Sequence, residues 1–446
     1  MTTPICDFVK RYAESRSVRV HMPGHKGSPI LGFEHLDITE IQGADSLFEA
    51  DGIIAESEKN AGELFGAHTF FSAEGSSLCI RAMLYLCVKY ARSQGKKPLI
   101  LAGRNAHKTL LCAAALLDLD IKWLTPSKDS NYLSCNISAE DIECCLSETD
   151  ELPVAVYVTS PDYTGNLCDI RAIASVCHRY GVLLVTDNAH GAYLKFLSPS
   201  IHPIDMGADV CCDSAHKTLP CLTGAAYLHV SKNAPELFRA EAKNALSMFG
   251  STSPSYLILQ SLDAANAYLE NGYRKKLRDL VVKIDALKKT LTERGYSLVG
   301  DEALKITLST KAMGYEGYEI ADILATQNIV CEFADRDFCV MMLTPENSDE
   351  DIRKLAAALL SVSPRTPIAI SSPSYSAPVT AMSVREAMFS PSETLPIREC
   401  NGRILAAPSV SCPPAVPILV CGEIIDDVAI ERFEYYGIKE CCVVKI

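Results

Sequence analysis

Short apolar stretches alternate with longer amphipathic stretches in the first half of the chain, from about residue 45 to residue 235. The short stretches are rich in β-favouring apolar residues and predict buried strands at 98–103, 153–160, 182–187, 209–214 and 224–230. The longer stretches repeat apolar residues at helical spacing and predict helices at 76–93, 107–119 and 169–181. Buried strands separated by helices indicate an α/β fold with a mostly parallel central sheet covered by helices on both faces.

The pattern changes after residue 255, where a long helical register predicts helices at 257–269 and 275–295. A smaller α/β unit follows, a Ser/Pro-rich stretch at 361–379 is typical of a linker, and two strands are expected at 417–422 and 441–446. The sequence therefore predicts an N-terminal segment (1–44), a large domain (45–275), a small α/β domain (276–363), a linker (364–380) and a C-terminal subdomain (381–446).

Composition and charge narrow the classes of partner. Hydrophobic residues make up 48% of the 446 residues and charged residues 22%, which is typical of a globular enzyme rather than a disordered chain. The formal net charge is -13 and no basic stripe alternates with aromatic residues, so we expect no nucleic-acid partner. No stretch of 18 consecutive apolar residues occurs, so we expect no membrane-spanning helix.

The spacing of the cysteines indicates free thiols in a reducing compartment rather than a disulfide-bonded scaffold. Nineteen cysteines occur singly or as adjacent pairs such as Cys211-Cys212, and no Cys-x-x-Cys motif is present. Cysteines in apolar stretches behave as small hydrophobic residues, and a chain of this length does not need disulfides for stability. The first 15 residues also lack a basic stretch followed by an apolar one, so no secretory signal is expected. We therefore expect a cytoplasmic protein with free thiols and no metal centre.

Polar side chains follow the predicted strands where those strands end. Asp187 ends the strand 182–187, Lys217 follows the strand 209–214, and His107 follows the strand 98–103. In open α/β sheets, ligands bind beyond the carboxyl ends of the strands. These side chains are therefore candidates for one shared site.

A phosphate-binding element is expected earlier in the chain. The stretch FFSAEGSS begins a predicted helix, and the N–H groups and dipole of a helix N-terminus favour a phosphate. Two serine hydroxyls add further donors, so the candidate phosphate ligands are Gly75, Ser76 and Ser77. Pyridoxal phosphate requires such a phosphate site, an amine that forms an imine and an acid that pairs with the pyridine nitrogen. Lys217 and Asp187 would supply the amine and the acid, and His107 could lie flat on the ring.

Three His-Lys pairs compete for the role of the reactive amine, at Lys26, Lys108 and Lys217, and the tetrapeptide Ala-His-Lys-Thr occurs both at 106–109 and at 215–218. Lys108 is expected to begin a helix, which is a structural role. Lys26 lies in a Pro-Gly loop. Lys217 lies 30 residues after Asp187, just past the end of the next predicted strand.

The stretches TDNAHGAYLKF (186–196) and GADVCCDSAHKTLPCLTGAAYLHV (207–230) resemble the cofactor-binding core of the Orn/Lys/Arg decarboxylase family. HMPGHKG near the start and NGRILAAPSVSCPPAVPILVCGE near the end extend the resemblance to nearly the whole chain, and the chain looks like the short form of the family. The resemblance implies the aspartate aminotransferase-like type I fold of pyridoxal-phosphate enzymes.

The resemblance also implies residue roles. Lys217 would form the imine, Asp187 would pair with the pyridine nitrogen, and His107 would stack on the ring. The other cofactor-binding residues would be Gly75, Ser76, Ser77, His190, Ser214 and His216, with Thr252 and Ser253 reaching the phosphate of a neighbouring subunit. Glu423 would hold the distal cation of the substrate, and Lys26 would contact the substrate at the entrance.

The implied reaction is decarboxylation of lysine, arginine or ornithine to an amine and carbon dioxide in polyamine-related metabolism, by a homodimer or a higher homo-oligomer. Lys217 and His216 are the candidate proton carriers. Aminotransfer or elimination on the same fold would need an arginine in the small domain to grip the carboxylate, where Arg336 and Arg353 are the arginines present between residues 295 and 363. A non-catalytic relative would need neither Asp187 nor Lys217.

The chain departs from the family pattern at several positions. Asn188 replaces the usual glutamate after Asp187, and Tyr193 replaces a frequent histidine. Further departures are Leu78-Cys79 after the phosphate serines, and Ala415 and Cys421 near the C-terminus. These departures leave the identity of the substrate open.

Overall fold

The computed structural model describes residues 1–124, 131–370, 372–373, 377–408 and 414–445. The chain divides into two compact units, each assembled from separate stretches of sequence. The first unit contains residues 1–97, 154–157 and 170–276, and the second contains residues 98–153, 158–169 and 277–446. The five-segment division expected from the sequence is finer than this one and stays a prediction.

The central sheet has seven strands. They are β1 (His68–Ser72), β2 (Leu99–Gly103), β3 (Asp120–Leu124), β4 (Ala155–Thr159), β5 (Leu183–Asp187), β6 (Val210–Asp213) and β7 (Ala226–Val230). Their order is β1-β7-β6-β5-β4-β2-β3. β5 runs parallel to β6 and β2 runs parallel to β3, whereas β7 is antiparallel to its neighbours β6 and β1. The predicted α/β class with a mostly parallel central sheet is confirmed.

Burial explains why these strands are continuous apolar runs. Every residue of β5, β6 and β7 is buried, as expected for strands covered on both faces.

The helices up to residue 293 are α1 (Pro4–Glu14), α2 (Ile53–Phe65), α3 (Gly75–Ser93), α4 (Lys108–Leu117), α5 (Ala139–Ser147), α6 (Ile170–Arg179), α7 (Pro203–Met206), α8 (Ala215–Thr218), α9 (Glu236–Ser247), α10 (Tyr256–Glu270) and α11 (Tyr273–Glu293). Within the described part of the chain, no helix has both the length and the apolarity that crossing a bilayer requires.

A buried carboxylate joins three helices of the first unit. Asp263 of α10 is fully buried and accepts hydrogen bonds from the Ser57 hydroxyl of α2 at 2.6 Å and from the Cys6 backbone N–H of α1 at 2.9 Å. Both donors would lack these partners without the carboxylate, and unmade buried hydrogen bonds are costly. The N-terminal helix is therefore an integral part of the first unit.

The second unit contains a smaller sheet and the C-terminal elements. Its strands are β8 (Ser297–Val299), β9 (Lys305–Ser309), β10 (Phe333–Ala334) and β11 (Phe338–Met342), in the antiparallel order β10-β11-β9-β8. They are followed by β12 (Ser392–Pro396) and β13 (Glu440–Val444), which form a two-stranded antiparallel sheet. The remaining helices are α12 (Gly317–Ala325), α13 (Asp349–Ser361), α14 (Val384–Phe389) and α15 (Asp427–Tyr435).

One predicted strand is wrong, and several elements were missed. Residues 417–422 form a turn rather than a strand, because Gly422 has a φ of +91° and the Glu423 N–H donates back to the Val420 carbonyl at 3.1 Å. The strand expected at 441–446 is present as β13, although residue 446 lies outside the described residues. Within the expected linker, residues 371 and 374–376 also lie outside them. The elements that the pattern did not predict include α1, α5, α9, β1 and β3.

The hairpin between β10 and β11 contains a buried acid. Asp335 is 3% exposed, and its Oδ1 accepts hydrogen bonds from the backbone N–H groups of Asp337 and Phe338 at 2.8 and 2.7 Å. Its Oδ2 accepts one from the Tyr132 hydroxyl at 3.2 Å. Burial outweighs these bonds and raises the pKa of Asp335 to about 6. The folded protein therefore binds this proton more tightly than the unfolded chain does.

The raised pKa of Asp335 predicts a pH-dependent stability with an unusual sign for an aspartate. Since the folded pKa of about 6 exceeds the unfolded value, the free energy of unfolding falls as pH rises through that interval. The loss from this group between about pH 4 and pH 6 is about 3 kcal/mol. Asp335→Asn keeps an acceptor for the hairpin N–H groups and removes the titration, so urea unfolding at several pH values is expected to show a flatter profile. Exposed Asp322→Asn should keep the wild-type profile, and an unchanged slope in Asp335→Asn would contradict the assignment.

Candidate active site

Asp187 is held in one orientation at the end of β5. The residue is 2% exposed, and its Oδ2 accepts a hydrogen bond from the Tyr157 hydroxyl at 3.1 Å. Its Oδ1 accepts from the Ala189 backbone N–H at 3.2 Å and lies 3.7 Å from the Cys212 thiol. Donors on both oxygens satisfy a buried carboxylate and fix its plane. Asp187 thus has a fixed orientation at the carboxyl edge of the sheet.

Lys217 follows β6 in the short helix α8, and its Nζ lies 3.0 Å from Nε2 of His190. His190 is buried and follows Asp187 by three residues. The amine and the acid therefore come from neighbouring strands of the first unit, as expected from the sequence. The contact between Nζ and an imidazole gives the amine a neighbour that can exchange a proton with it.

His216 presents a defined nitrogen for proton transfer. Its Nδ1 lies 2.9 Å from the Ala225 carbonyl oxygen, which can only accept, so Nδ1 carries the proton and Nε2 is left as the basic nitrogen. Burial lowers the pKa of His216, with the neighbouring Lys217 charge acting in the same direction. The imidazole is therefore neutral at pH 7 and can accept a proton.

The start of α3 has the features of an anion site. Gly75 begins this 19-residue helix with a φ of +72°, and a Cβ added there would meet no atom within 4 Å. The Ser214 hydroxyl donates to the Ser76 hydroxyl at 2.8 Å, so serines from two elements meet at the helix start. Ser77 follows in the first turn, where backbone N–H groups lack intrahelical acceptors. Open space, hydroxyls and a helix N-terminus together fit a phosphate group.

Three further candidates lie on exposed segments of the first unit. Thr252 and Ser253 are exposed between α9 and α10, where the Ser253 N–H donates to the Ser251 hydroxyl at 3.1 Å. Lys26 is exposed with a φ of +55°, and its Nζ donates to the His21 carbonyl. The roles expected for these residues, at a neighbouring subunit and at the site entrance, stay predictions.

His107 lies in the second unit, at the N-terminus of α4. Its Nδ1 accepts a hydrogen bond from the Thr109 backbone N–H at 3.2 Å, so the proton of a neutral ring is on Nε2. This bond orients a half-buried imidazole just after β2. Lys108 begins α4, so its predicted helix-initiating role is confirmed, while ring stacking by His107 stays a prediction.

Glu423 forms a buried ion pair in the second unit. Arg104 donates from Nη1 to Oε1 at 2.5 Å and from Nη2 to Oε2 at 3.0 Å, and the Val420 N–H also donates to Oε2 at 2.7 Å. Arg104 is 7% exposed and its guanidinium lies 5.1 Å from the centre of the Trp123 ring. A substrate cation could use Glu423 only by sharing it with Arg104. The substrate role expected for Glu423 stays a prediction.

Sequence reasoning missed the partners of the site residues. Tyr157 stands in an apolar strand, where a buried hydroxyl signals a polar partner nearby, but the pattern does not say which one.

Asp213 is fully buried with His202 and His229, and ligand atoms of His202, Cys211 and Asp213 lie within 4.8 Å of one another. Burial raises the pKa of the Cys211 thiol well above its usual range, so this sulfur stays protonated. Hydrogen bonds account for the Asp213 contacts without an ion.

The geometry of Glu423 predicts a large effect on stability. Glu423→Ala leaves the buried Arg104 guanidinium without its carboxylate and should lower the free energy of unfolding by about 3–5 kcal/mol. Glu431→Ala removes an exposed glutamate from α15 and serves as the matched control, with a change near zero. Denaturant unfolding of both variants tests the pair. Wild-type stability of Glu423→Ala with a raised KM would instead indicate that the carboxylate serves the substrate.

Comparison with known proteins places the chain in a family. The family model of the Orn/Lys/Arg decarboxylase, major domain, matches residues 3–307, more than half of the chain. The arginine decarboxylase of Bacillus subtilis (strain 168) is 28% identical over 461 residues, which cover 95% of this chain and 91% of that protein. The chain therefore aligns with this relative over nearly its full length.

Solved structures show the same fold. Lysine decarboxylase A from Pseudomonas aeruginosa matches with a TM-score of 0.80 at 19% identity, over 99% of this chain and 80% of that one. The lysine decarboxylase LdcF of Francisella novicida matches with a TM-score of 0.79 at 15% identity, over 99% and 81% of the two chains. The fold and family predicted from the sequence motifs are confirmed. The chain belongs to the Orn/Lys/Arg decarboxylase family and is a decarboxylase.

Proposed function

We propose that this decarboxylase converts a basic amino acid, arginine, lysine or ornithine, to its amine, with pyridoxal phosphate as cofactor and with the product entering polyamine-related metabolism. The observation that carries the proposal is the placement of Asp187 at the end of β5 and of Lys217 in α8, directly after the adjacent parallel strand β6. An oriented buried carboxylate and an amine beside an imidazole are the two groups that pyridoxal chemistry requires from a protein. The serines at the start of α3 supply the third requirement, a phosphate site.

The residues of the first unit fit the cofactor. Asp187 would face the pyridine nitrogen, Lys217 would hold the aldehyde carbon covalently, and Ser76, Ser77 and Ser214 would bind the phosphate. Bound in this way, pyridoxal phosphate supplies an electron sink that lets the carboxylate of the substrate leave as carbon dioxide. The Tyr157 hydroxyl and the Ala189 N–H donate to the two oxygens of Asp187 and would hold the carboxylate in one orientation towards the ring.

Proton transfer is the task left to the protein. Once carbon dioxide has left, the α-carbon would have to receive a proton, and Nζ of Lys217 is the first candidate to deliver it. His190 is placed to exchange a proton with Nζ of Lys217 at 3.0 Å. His216 is the second candidate, since its Nε2 is left unprotonated by the Ala225 bond.

Decarboxylation is favoured over the other reactions of this fold. Aminotransfer or elimination would use a small-domain arginine to grip the substrate carboxylate. Arg336 donates instead to Glu316 at 2.7 Å and lies 4.9 Å from the centre of the Tyr435 ring, and Arg353 is exposed on α13. Neither arginine is arranged for that grip. A non-catalytic role is disfavoured because the buried donors around Asp187 maintain a carboxylate that a scaffold would not need.

The proposal includes a homodimeric assembly and a cytoplasmic location for the protein. A homodimer is expected because the exposed Thr252 and Ser253 segment is available to reach a neighbouring subunit, and two-fold dimers are the commonest oligomers. A cytoplasmic location is supported by the free thiols found at each of the cysteines in the described residues. Which of the three amino acids is used depends on the group that meets the distal cation, for which Glu423 is the candidate.

Covalent trapping tests the proposed function. The protein is incubated with pyridoxal phosphate, reduced with borohydride and digested, and mass spectrometry is expected to find the pyridoxyl label on Lys217. Lys217→Ala should lose the label and lower amine formation from the preferred amino acid by about 100-fold or more. Because Ala-His-Lys-Thr occurs twice, Lys108→Ala is a control in the same tetrapeptide and should keep both label and activity.

Two results would reject the proposal. A label on another lysine, or none in the wild type, would exclude the assigned attachment. Formation of a keto acid in place of carbon dioxide and amine would assign the chain to aminotransfer.

A further inference from the structure

Asp213 is a charged residue inside the first unit, and the proposed reaction does not use it directly. It ends β6, immediately before Ser214 and four residues before Lys217, and it is fully buried. Its carboxylate accepts hydrogen bonds from Asn188 Nδ2 at 2.6 Å, from His202 Nε2 at 3.1 Å and from His229 Nε2 at 3.2 Å. Three donors on one carboxylate are what a buried negative charge requires.

The two imidazoles are oriented as donors by their second nitrogens. Nδ1 of His202 accepts from the Ile204 backbone N–H at 3.4 Å, and Nδ1 of His229 lies 2.9 Å from the Thr69 hydroxyl. In each ring Nε2 therefore carries a proton and donates it to Asp213. Burial alone would raise the pKa of Asp213, but the two imidazoles outweigh burial and hold it well below its usual range. Asp213 is consequently ionised, and Asn188 meets a full negative charge.

Asn188 can meet that charge in only one orientation. A carboxylate only accepts hydrogen bonds, so the amide nitrogen must face Asp213 and the amide oxygen must point away. That oxygen finds no hydrogen-bond partner among the described residues. A Cβ at Gly191 would lie 2.0 Å from it, so the chain can turn past Asn188 here only because residue 191 lacks a side chain.

Asn188 also joins the two strand ends through its backbone. It directly follows Asp187, and its N–H donates to the Cys212 carbonyl at 3.0 Å. The side chain adds the 2.6 Å bond to Asp213 one residue further along β6. Two bonds from one residue therefore connect the end of β5, where Asp187 lies, to the end of β6, which leads to Lys217.

We propose that Asn188 is a positioning residue: its amide, bound to the buried carboxylate of Asp213, holds Asp187 and Lys217 in the relative placement that cofactor attachment and decarboxylation need. The proposal rests on the proposed function for the roles of Asp187 and Lys217. Asn188 acts through these residues, so the predicted loss on its replacement arises from misplacement of the reacting groups.

The sharpest perturbation is Asn188→Asp, which keeps the shape of the side chain and replaces the donor by an acceptor. Two carboxylates within hydrogen-bond distance repel unless they share a proton. A misplacement of about 1 Å can cost about 100-fold in rate, so we expect kcat to fall by about 100-fold. The fraction of Lys217 that carries the pyridoxyl label after borohydride reduction should fall as well, and this second readout does not depend on turnover.

A double variant that exchanges the hydrogen-bond donor and acceptor distinguishes a positioning role from a general loss of stability. In Asn188→Asp/Asp213→Asn the donor stands at 213 and the acceptor at 188, so the same bond forms in the opposite direction. The double variant should recover kcat and labelling by at least about tenfold over Asn188→Asp. Asn266→Asp is the matched control, since Asn266 is also fully buried in the first unit, where its Nδ2 donates to the Ser57 carbonyl at 3.2 Å. If Asn266→Asp lowers Tm as much as Asn188→Asp does, Lys217 in this control should still be labelled to nearly the wild-type extent.

The outcomes are distinct. Wild-type labelling and kcat in Asn188→Asp, no recovery in the double variant, or an equal loss in Asn266→Asp would each overturn the positioning role while leaving the proposed function intact. A wild type that carries no label on Lys217 and forms no amine would reject the proposed function, and the positioning role with it.

Discussion

Two buried carboxyl groups, at the carboxyl ends of β5 and β6, are the constraint on which the first unit depends. Asp187 and Asp213 are both buried, and each must find donors within the protein. Asp187 finds them in Tyr157 and a backbone N–H, and Asp213 finds them in two imidazoles and an amide. The donors come from β4, β7 and the loops that follow β5, so the two carboxyl groups help to determine how these elements meet.

This arrangement also supports the short segment that contains Lys217. Lys217 stands in a helix of four residues, which is too short to be stable alone. It is held because β6 before it ends in the Asp213 network and because the Lys217 N–H donates to the Ser214 carbonyl at 3.0 Å. A phosphate bound by Ser214 and the start of α3 would fix the same segment from its other side. The sheet thus restrains the short segment from Ser214 to Lys217 that follows β6.

The sequence was sufficient for most strands of the central sheet and for the candidate residues that follow them, because these leave local signals, whereas β1 and β3 were missed. Apolar runs marked β4 to β7, and Asp187 and Lys217 stand directly after two of them. The partners were not predictable, because nothing local connects Asn188 with residue 213 or Arg104 with Glu423, which are 319 residues apart. The apolar run at 417–422 was misread as a strand for the same reason, since the turn there directs Glu423 towards Arg104 and only the tertiary pairing requires it.

The distance along the chain between Arg104 and Glu423 has a consequence for biosynthesis. The second unit is assembled from residues 98–153, 158–169 and 277–446, so its buried guanidinium is translated long before its carboxylate. While the polypeptide emerges from the ribosome, Arg104 must stay hydrated, and Trp123 beside it cannot be sealed from water. The unit can close only after residue 423 has been translated, and until then the nascent protein exposes surface that other molecules in the cell can bind.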